Sequence, residues 1–92
     1  DVTKDRYRMI VDNLAYVSTR NNIIPSFRGT VEAVARKNDV PEEEVALALR
    51  EMLDKGLVVR KDRRVEFNRT VKVITANWEA LIAEGLWEPD NG

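Results

Sequence analysis

Two stretches of helical periodicity follow one another across residues 30–55 with only a tight turn between them. Val31, Val34 and Ala35 recur at three-four spacing, with Thr30 as the expected N-cap and Glu32 near the positive end of the helix dipole, predicting a helix over 30–38. Asn38 and Asp39 tolerate the left-handed conformation that ends it. Pro41 fits the opening of the next helix, and Glu42, Glu43 and Glu44 occupy its first turn. There a carboxylate near the free N–H groups gains about 0.3–1 kcal/mol. Val45, Leu49, Met52 and Leu53 line one face, Lys55 sits in the last turn and Gly56 lies just beyond, so this helix is expected over 41–55.

Flanking patterns complete the expected architecture. Tyr7, Ile10, Val11, Leu14 and Val17 or Ser18 share a helical face, predicting a helix over 4–19 with Thr3 as N-cap. The polar cluster 18–22 breaks that period, and Pro25 and Gly29 punctuate a connection whose Ile23, Ile24 and Phe27 fit a short edge strand. After Gly56, the runs 57–60 and 64–67 are β-prone, and Lys61, Asp62 and Arg63 between them predict a hairpin over 57–67 with a charged tip. Val71, Ile74, Trp78, Leu81 and Ile82 return to helical spacing, predicting a C-terminal helix over 70–84 stopped by Gly85 and followed by an apolar tail, Leu86 and Trp87. No repeat, low-complexity segment or long linker divides residues 1–92, so the expectation is one domain, mainly α with a small β-hairpin, of class α+β.

Composition narrows the chemistry. With 43% hydrophobic and 34% charged residues, the chain has a globular balance, and it contains no apolar run near the roughly 20 residues that span a bilayer. The chain as given shows no secretory-signal pattern, and a cysteine-free sequence is compatible with the cytoplasm, the expected location. Histidine and cysteine are both absent, which removes disulfides, thiolate nucleophiles, the usual zinc sites and histidine acid–base chemistry. Glu42, Glu43 and Glu44 sit together on one turn with no nucleophile, metal set or glycine-rich phosphate loop beside them. The expectation is therefore a non-enzymatic protein with no cofactor and no metal.

The net charge of −1 conceals a strong segregation. Residues 1–38 carry seven basic and four acidic side chains, 39–56 two and six, 57–72 six and two, and 73–92 none and four. Two basic segments thus flank an acidic one, a distribution that matters more for partners than the total does.

The order helix, extended segment, helix, tight turn, helix, basic hairpin resembles the winged helix-turn-helix superfamily over about residues 30–68. Ala35 stands where that family keeps a small residue at the crossing of the second and third helices, Val40 fills the turn, and Val45, Leu49 and Met52 supply core positions. Gly56, Leu57 and Val58 match the exit into the first wing strand, whereas Asp39 stands where a glycine is common and Asn38 where an apolar residue is common. The predicted C-terminal helix is an addition to that core.

The resemblance implies a double-stranded DNA-binding protein, a transcription regulator or architectural factor. Its third helix would then lie in the major groove, where this chain presents Glu43, Glu44, Ala46, Leu47 and, one turn later, Arg50. Carboxylates are repelled by phosphates and read only a cytosine amino group favourably, so Arg50 alone has the chemistry of a reader there. The wing differs: Arg60, Lys61, Arg63, Arg64, Arg69 and Lys72 outnumber Asp62 and Glu66, and arginine pairs bidentately with phosphate. Arg28, Arg36 and Lys37 offer a second phosphate contact around the second helix. The acidic helix leaves a second reading, a protein-interaction module that meets a basic partner through Glu43, Glu44, Ala46 and Leu47. RNA binding through the basic wing is a third. Because flanking helices in this family often pair between protomers, Trp78, Leu81, Ile82, Leu86 and Trp87 are expected at a homodimer contact.

Overall fold

Ile10, Val11 and Leu14 recur at helical spacing and are all buried, which fixes the inward face of α1, Val2–Ser18. In the computed structural model, which describes residues 2–20 and 22–89, α1 is followed by α2, Phe27–Asn38, and α3, Glu42–Asp54. Strands β1, Val58–Val65, and β2, Arg69–Ala76, come next, joined by a three-residue turn at Glu66–Asn68, and α4, Trp78–Ala83, closes the order. Asn21, part of the polar break expected at 18–22, lies outside the described residues. Among those residues the fold is mixed α+β, with four helices and a two-stranded antiparallel hairpin. None of the described helices is long and apolar enough to cross a membrane.

Helices α1, α2 and α3 pack against one another, β1 leans on α3, and β2 leans on α1. One core results: Tyr7, Ile10, Val11 and Leu14 meet Val31, Val34 and Ala35 from α2 and Val45, Ala48, Leu49 and Met52 from α3. Leu57, Val58, Ile74, Leu81 and Leu86 close it from the C-terminal half. The turn between α2 and α3 matches the sequence expectation, with Asp39 left-handed at φ 54° and the Val40 N–H donating to the Ala35 carbonyl at 3.1 Å. Gly56, at φ 76°, ends α3 in the same way, and the Leu57 N–H returns to the Met52 carbonyl.

Several boundaries differ from the sequence expectation, each for a physical reason. α1 starts before Thr3, which lies within the first turn and does not precede it. α2 starts at Phe27 because Ser26, not Thr30, caps it: Ser26 Oγ accepts from the Gly29 N–H at 2.9 Å, and Thr30 is buried one turn into the helix. Residues 23–26 form no edge strand; a single bond from the Ile74 N–H to the Pro25 carbonyl, 2.7 Å, is the trace of one, since proline has no N–H to return.

The hairpin is longer than expected, and its tip lies elsewhere. Lys61, Asp62 and Arg63 are mid-strand, paired with Val73, Lys72 and Val71, and Asp62 and Lys72 form an ion pair at 2.6 Å across the ladder. The chain reverses at Phe67 and Asn68, both with positive φ. The helix expected over 70–84 is accordingly a strand up to Ala76 and a helix only from Trp78. Val71, Ile74 and Trp78 fit a helical period, but Thr70, Val71, Val73, Ile74 and Thr75 are β-branched, and such a run packs better on a pleated ladder. Asn77 then restarts the helix by accepting the Ala80 N–H on its side chain.

Candidate nucleic-acid interface

The Ser26 cap decides where α2 begins, and so where Phe27 and Arg28 stand. A Cβ on Gly29 would lie 2.9 Å from Ser26 Oγ, so glycine leaves the space the cap occupies. With α2 started there, the half-buried Phe27 ring packs at the edge of the core and faces two other elements. The Arg50 guanidinium from α3 lies 5.7 Å from the ring centroid, and that of Arg60 from β1 lies 5.5 Å away. Each contact is worth about 0.5–1 kcal/mol at an exposed site, and together they orient two cations that would otherwise repel. Phe27, Arg28, Val31, Glu42, Glu43, Ala46 and Arg50 line a shallow groove of about 300 Å³ between α2 and α3.

From Arg60 the positive charge continues out along the ribbon on both faces. Because opposite residues of an antiparallel pair share a face, Arg60 and Arg64 stand on one side with the Asp62–Lys72 pair, and Lys61, Arg63 and Arg69 stand on the other. All five cations are exposed, and none takes part in an ion pair among the described residues. Arg63 donates to the Ile23 carbonyl at 3.4 Å, a long contact that leans it towards the α1–α2 connection. Lys72 is partly neutralised by Asp62.

Other expected contacts are distributed differently. Arg28 stands in the first turn of α2 near the Phe27 cluster, its Nε 3.5 Å from Glu32 one turn on. Arg36 and Lys37 occupy the last turn, favourable for the helix dipole but about 15 Å along the axis from Phe27. They are not brought together with the ribbon. The acidic triplet also splits: Glu42 and Glu43 line the Phe27 groove, whereas Glu44 turns towards α1 and pairs with Arg6 at 3.0 Å. Ala46 is half-buried, and Leu47 is 57% exposed.

Of the residues expected at a dimer contact, Leu81 and Leu86 are buried in this chain's own core. Trp78 and Trp87 are half-buried against each other, ring centroids 5.0 Å apart, and Ile82 is 42% exposed. Of these residues, Ile82 and the outer faces of the two indoles remain accessible.

The Tyr7 hydroxyl has a pKa above its ordinary value. Burial raises it, and the hydrogen bond its hydroxyl donates to Glu51 at 2.9 Å adds to the rise, while Lys55, whose Nζ lies 5.2 Å over the ring, acts the other way. It ties α1 to α3 and lies apart from the cationic surface. Among the described residues no group of acidic side chains is placed to hold a metal ion. Sequence reasoning read Phe27 only as an apolar residue in a connection; its role beside Arg50 and Arg60 depends on tertiary packing, for which no local spacing provides a signal. No protein-family model, curated protein or solved structure matches this chain.

Proposed function

We propose that the chain is a winged-helix domain that holds duplex DNA without catalysing a reaction on it, as a transcription regulator or architectural factor. The observation that carries this reading is the convergence of Arg50 and Arg60 on Phe27, from which the unpaired cations of β1 and Arg69 continue outwards on both faces of the ribbon. A narrow two-faced basic ribbon suits two phosphate walls better than one flat surface. The acidic first turn of α3 argues against deep seating of that helix, so phosphate contacts by the ribbon supply most of the affinity and Arg50 most of the base contact. Anisotropy of a labelled duplex of about 25 base pairs tests it, titrated between about 50 and 200 mM salt. With four to six phosphates neutralised, the log–log salt slope is expected at about −4 to −5. Absence of binding at the lower salt overturns the reading.

A second reading, a protein-interaction module, is favoured by the exposure of Leu47 beside a hollow lined by Val2, Arg6, Glu44 and Glu51. Under that reading Leu47→Asp abolishes partner capture while duplex DNA fails to bind to the unmodified protein at any salt.

A further inference from the structure

Phe67 contributes almost nothing to its own fold. It sits at the extreme tip of the hairpin and is 97% exposed, so it buries no apolar surface in this chain. Its backbone is at φ 61° and ψ 30°, in the left-handed region that an aromatic residue rarely enters, and Asn68 follows at φ 60°. Two successive positive φ values suit the tight reversal of a hairpin, and asparagine or glycine takes the first of them with less strain than phenylalanine does. A side chain that packs on nothing and is held in an unfavourable conformation points to a use outside the chain.

The surroundings indicate what that use is. The hairpin strands are eight residues each, and burial ends at Val58 on β1 and Val73 on β2. Beyond Arg63, whose guanidinium still reaches the Ile23 carbonyl, the end of the ribbon stands free by about 10 Å, at about 3.4 Å per residue. The ribbon's cations lie on both faces behind Phe67: Arg64 on one, Lys61, Arg63 and Arg69 on the other. A two-stranded ribbon is wider than the minor groove, about 6 Å across, so it enters only if the groove opens. An apolar wedge that unstacks one base step opens it and kinks the duplex towards the major groove. We infer that Phe67 is such a wedge, inserted between base pairs from the minor groove while the flanking cations hold the two phosphate strands. This rests on the DNA-binding reading above. A lipid surface fits less well, because the tip offers one apolar side chain between Glu66 and Asn68, and because the cations stand on both sides of the ribbon.

The test compares the full chain with Phe67→Asn, a substitution suited to the left-handed position and so expected to fold at least as stably. The probe is a duplex of about 30 base pairs with central TA steps, which unstack easily, carrying 2-aminopurine at one step and a donor and acceptor dye at its ends. Wild type is expected to raise 2-aminopurine fluorescence and shorten the end-to-end distance. Phe67→Asn is expected to do neither, to bind roughly 5- to 150-fold more weakly, and to keep the same salt slope. If both proteins bind and neither probe distinguishes them, the wedge is overturned and DNA binding stands. If neither binds the duplex, both are overturned; Phe67-dependent sedimentation with phosphatidylserine vesicles would then assign the tip to lipid.

Discussion

The side-chain amide of Asn77 donates to the carbonyl of Gly56 at 3.0 Å. Its oxygen meanwhile accepts the Ala80 N–H at 3.3 Å, and the Asn77 backbone N–H donates to the Leu57 carbonyl. One residue thus joins the exit of α3 to the entry of α4. Asn77→Ala is expected to lower stability in urea denaturation by about 1–3 kcal/mol, combining a lost cap with a lost partner for the Gly56 carbonyl. Asn77→Asp keeps the cap acceptor and should fall between the two. Wild-type stability in the alanine variant would show that the connection contributes nothing.

Ser26 and Gly29 form a coupled pair. Ser26→Ala removes the cap at a cost of about 1 kcal/mol. Gly29→Ala would ordinarily favour a helix by about 1 kcal/mol, but here the new methyl meets Ser26 Oγ at 2.9 Å, so a net loss is expected. In the double variant the clash is gone and the propensity gain returns. A double-mutant cycle should therefore be non-additive, with the pair more stable than the two single losses predict; strict additivity would contradict the contact.

The Phe27 cluster makes a prediction about salt dependence. Arg50→Gln with Arg60→Gln should flatten the log–log slope for duplex DNA by about 1, for the phosphate contact of Arg60, and lose the base contact of Arg50 as well. Arg36→Gln with Lys37→Gln, at the far end of α2, should leave the slope unchanged. Phe27→Leu keeps most of the packing but frees both guanidinium groups, and should weaken binding without flattening the slope. Equal effects of the two double variants in anisotropy titrations would rule out the cluster as the centre of contact.

Tyr7 gives a signed pH dependence. Its pKa is raised by burial and by Glu51, so the protonated phenol favours the folded state. That stability is fully present below the ordinary tyrosine value of about 10 and is lost as pH rises beyond it. Thermal melts between about pH 8 and 11 should show the wild type losing more stability than Tyr7→Phe does. Parallel curves would remove Tyr7 as the source.

The helical half of the fold is legible in the sequence because its signals are local. Apolar spacing, Asp39, Pro41 and Gly56 define α2, α3 and the turn between them within a residue or a few. The boundary at Thr30 is misread because either hydroxyl residue has the chemistry of a cap and Gly29 reads as a break, whereas it lies inside α2 and donates its N–H to the Ser26 cap. The hairpin is misread for a different reason. Val71, Ile74 and Trp78 fit a helical period while the β-branched residues between them fit a strand, and what resolves the conflict is pairing with β1, a tertiary fact. The same holds for the cationic surface: its residue types are visible in the sequence, but the grouping of Arg50 with Arg60, and the separation of Arg36 and Lys37 from both, follow from packing around Phe27.

An isolated two-stranded ribbon has two open edges, and each invites another chain to extend it. On β2 the Ile74 N–H is already taken by the Pro25 carbonyl, and proline has no donor with which to continue the ladder. On β1 the run of Arg60, Lys61, Arg63 and Arg64 repels a second strand of the same sequence. The cations proposed to meet phosphate therefore also act as gatekeepers against self-assembly. Neutralising them together with alanine would remove that guard and favour aggregation, whereas reversing Arg63 and Arg64 to glutamate would abolish phosphate contact and still leave the edge charged.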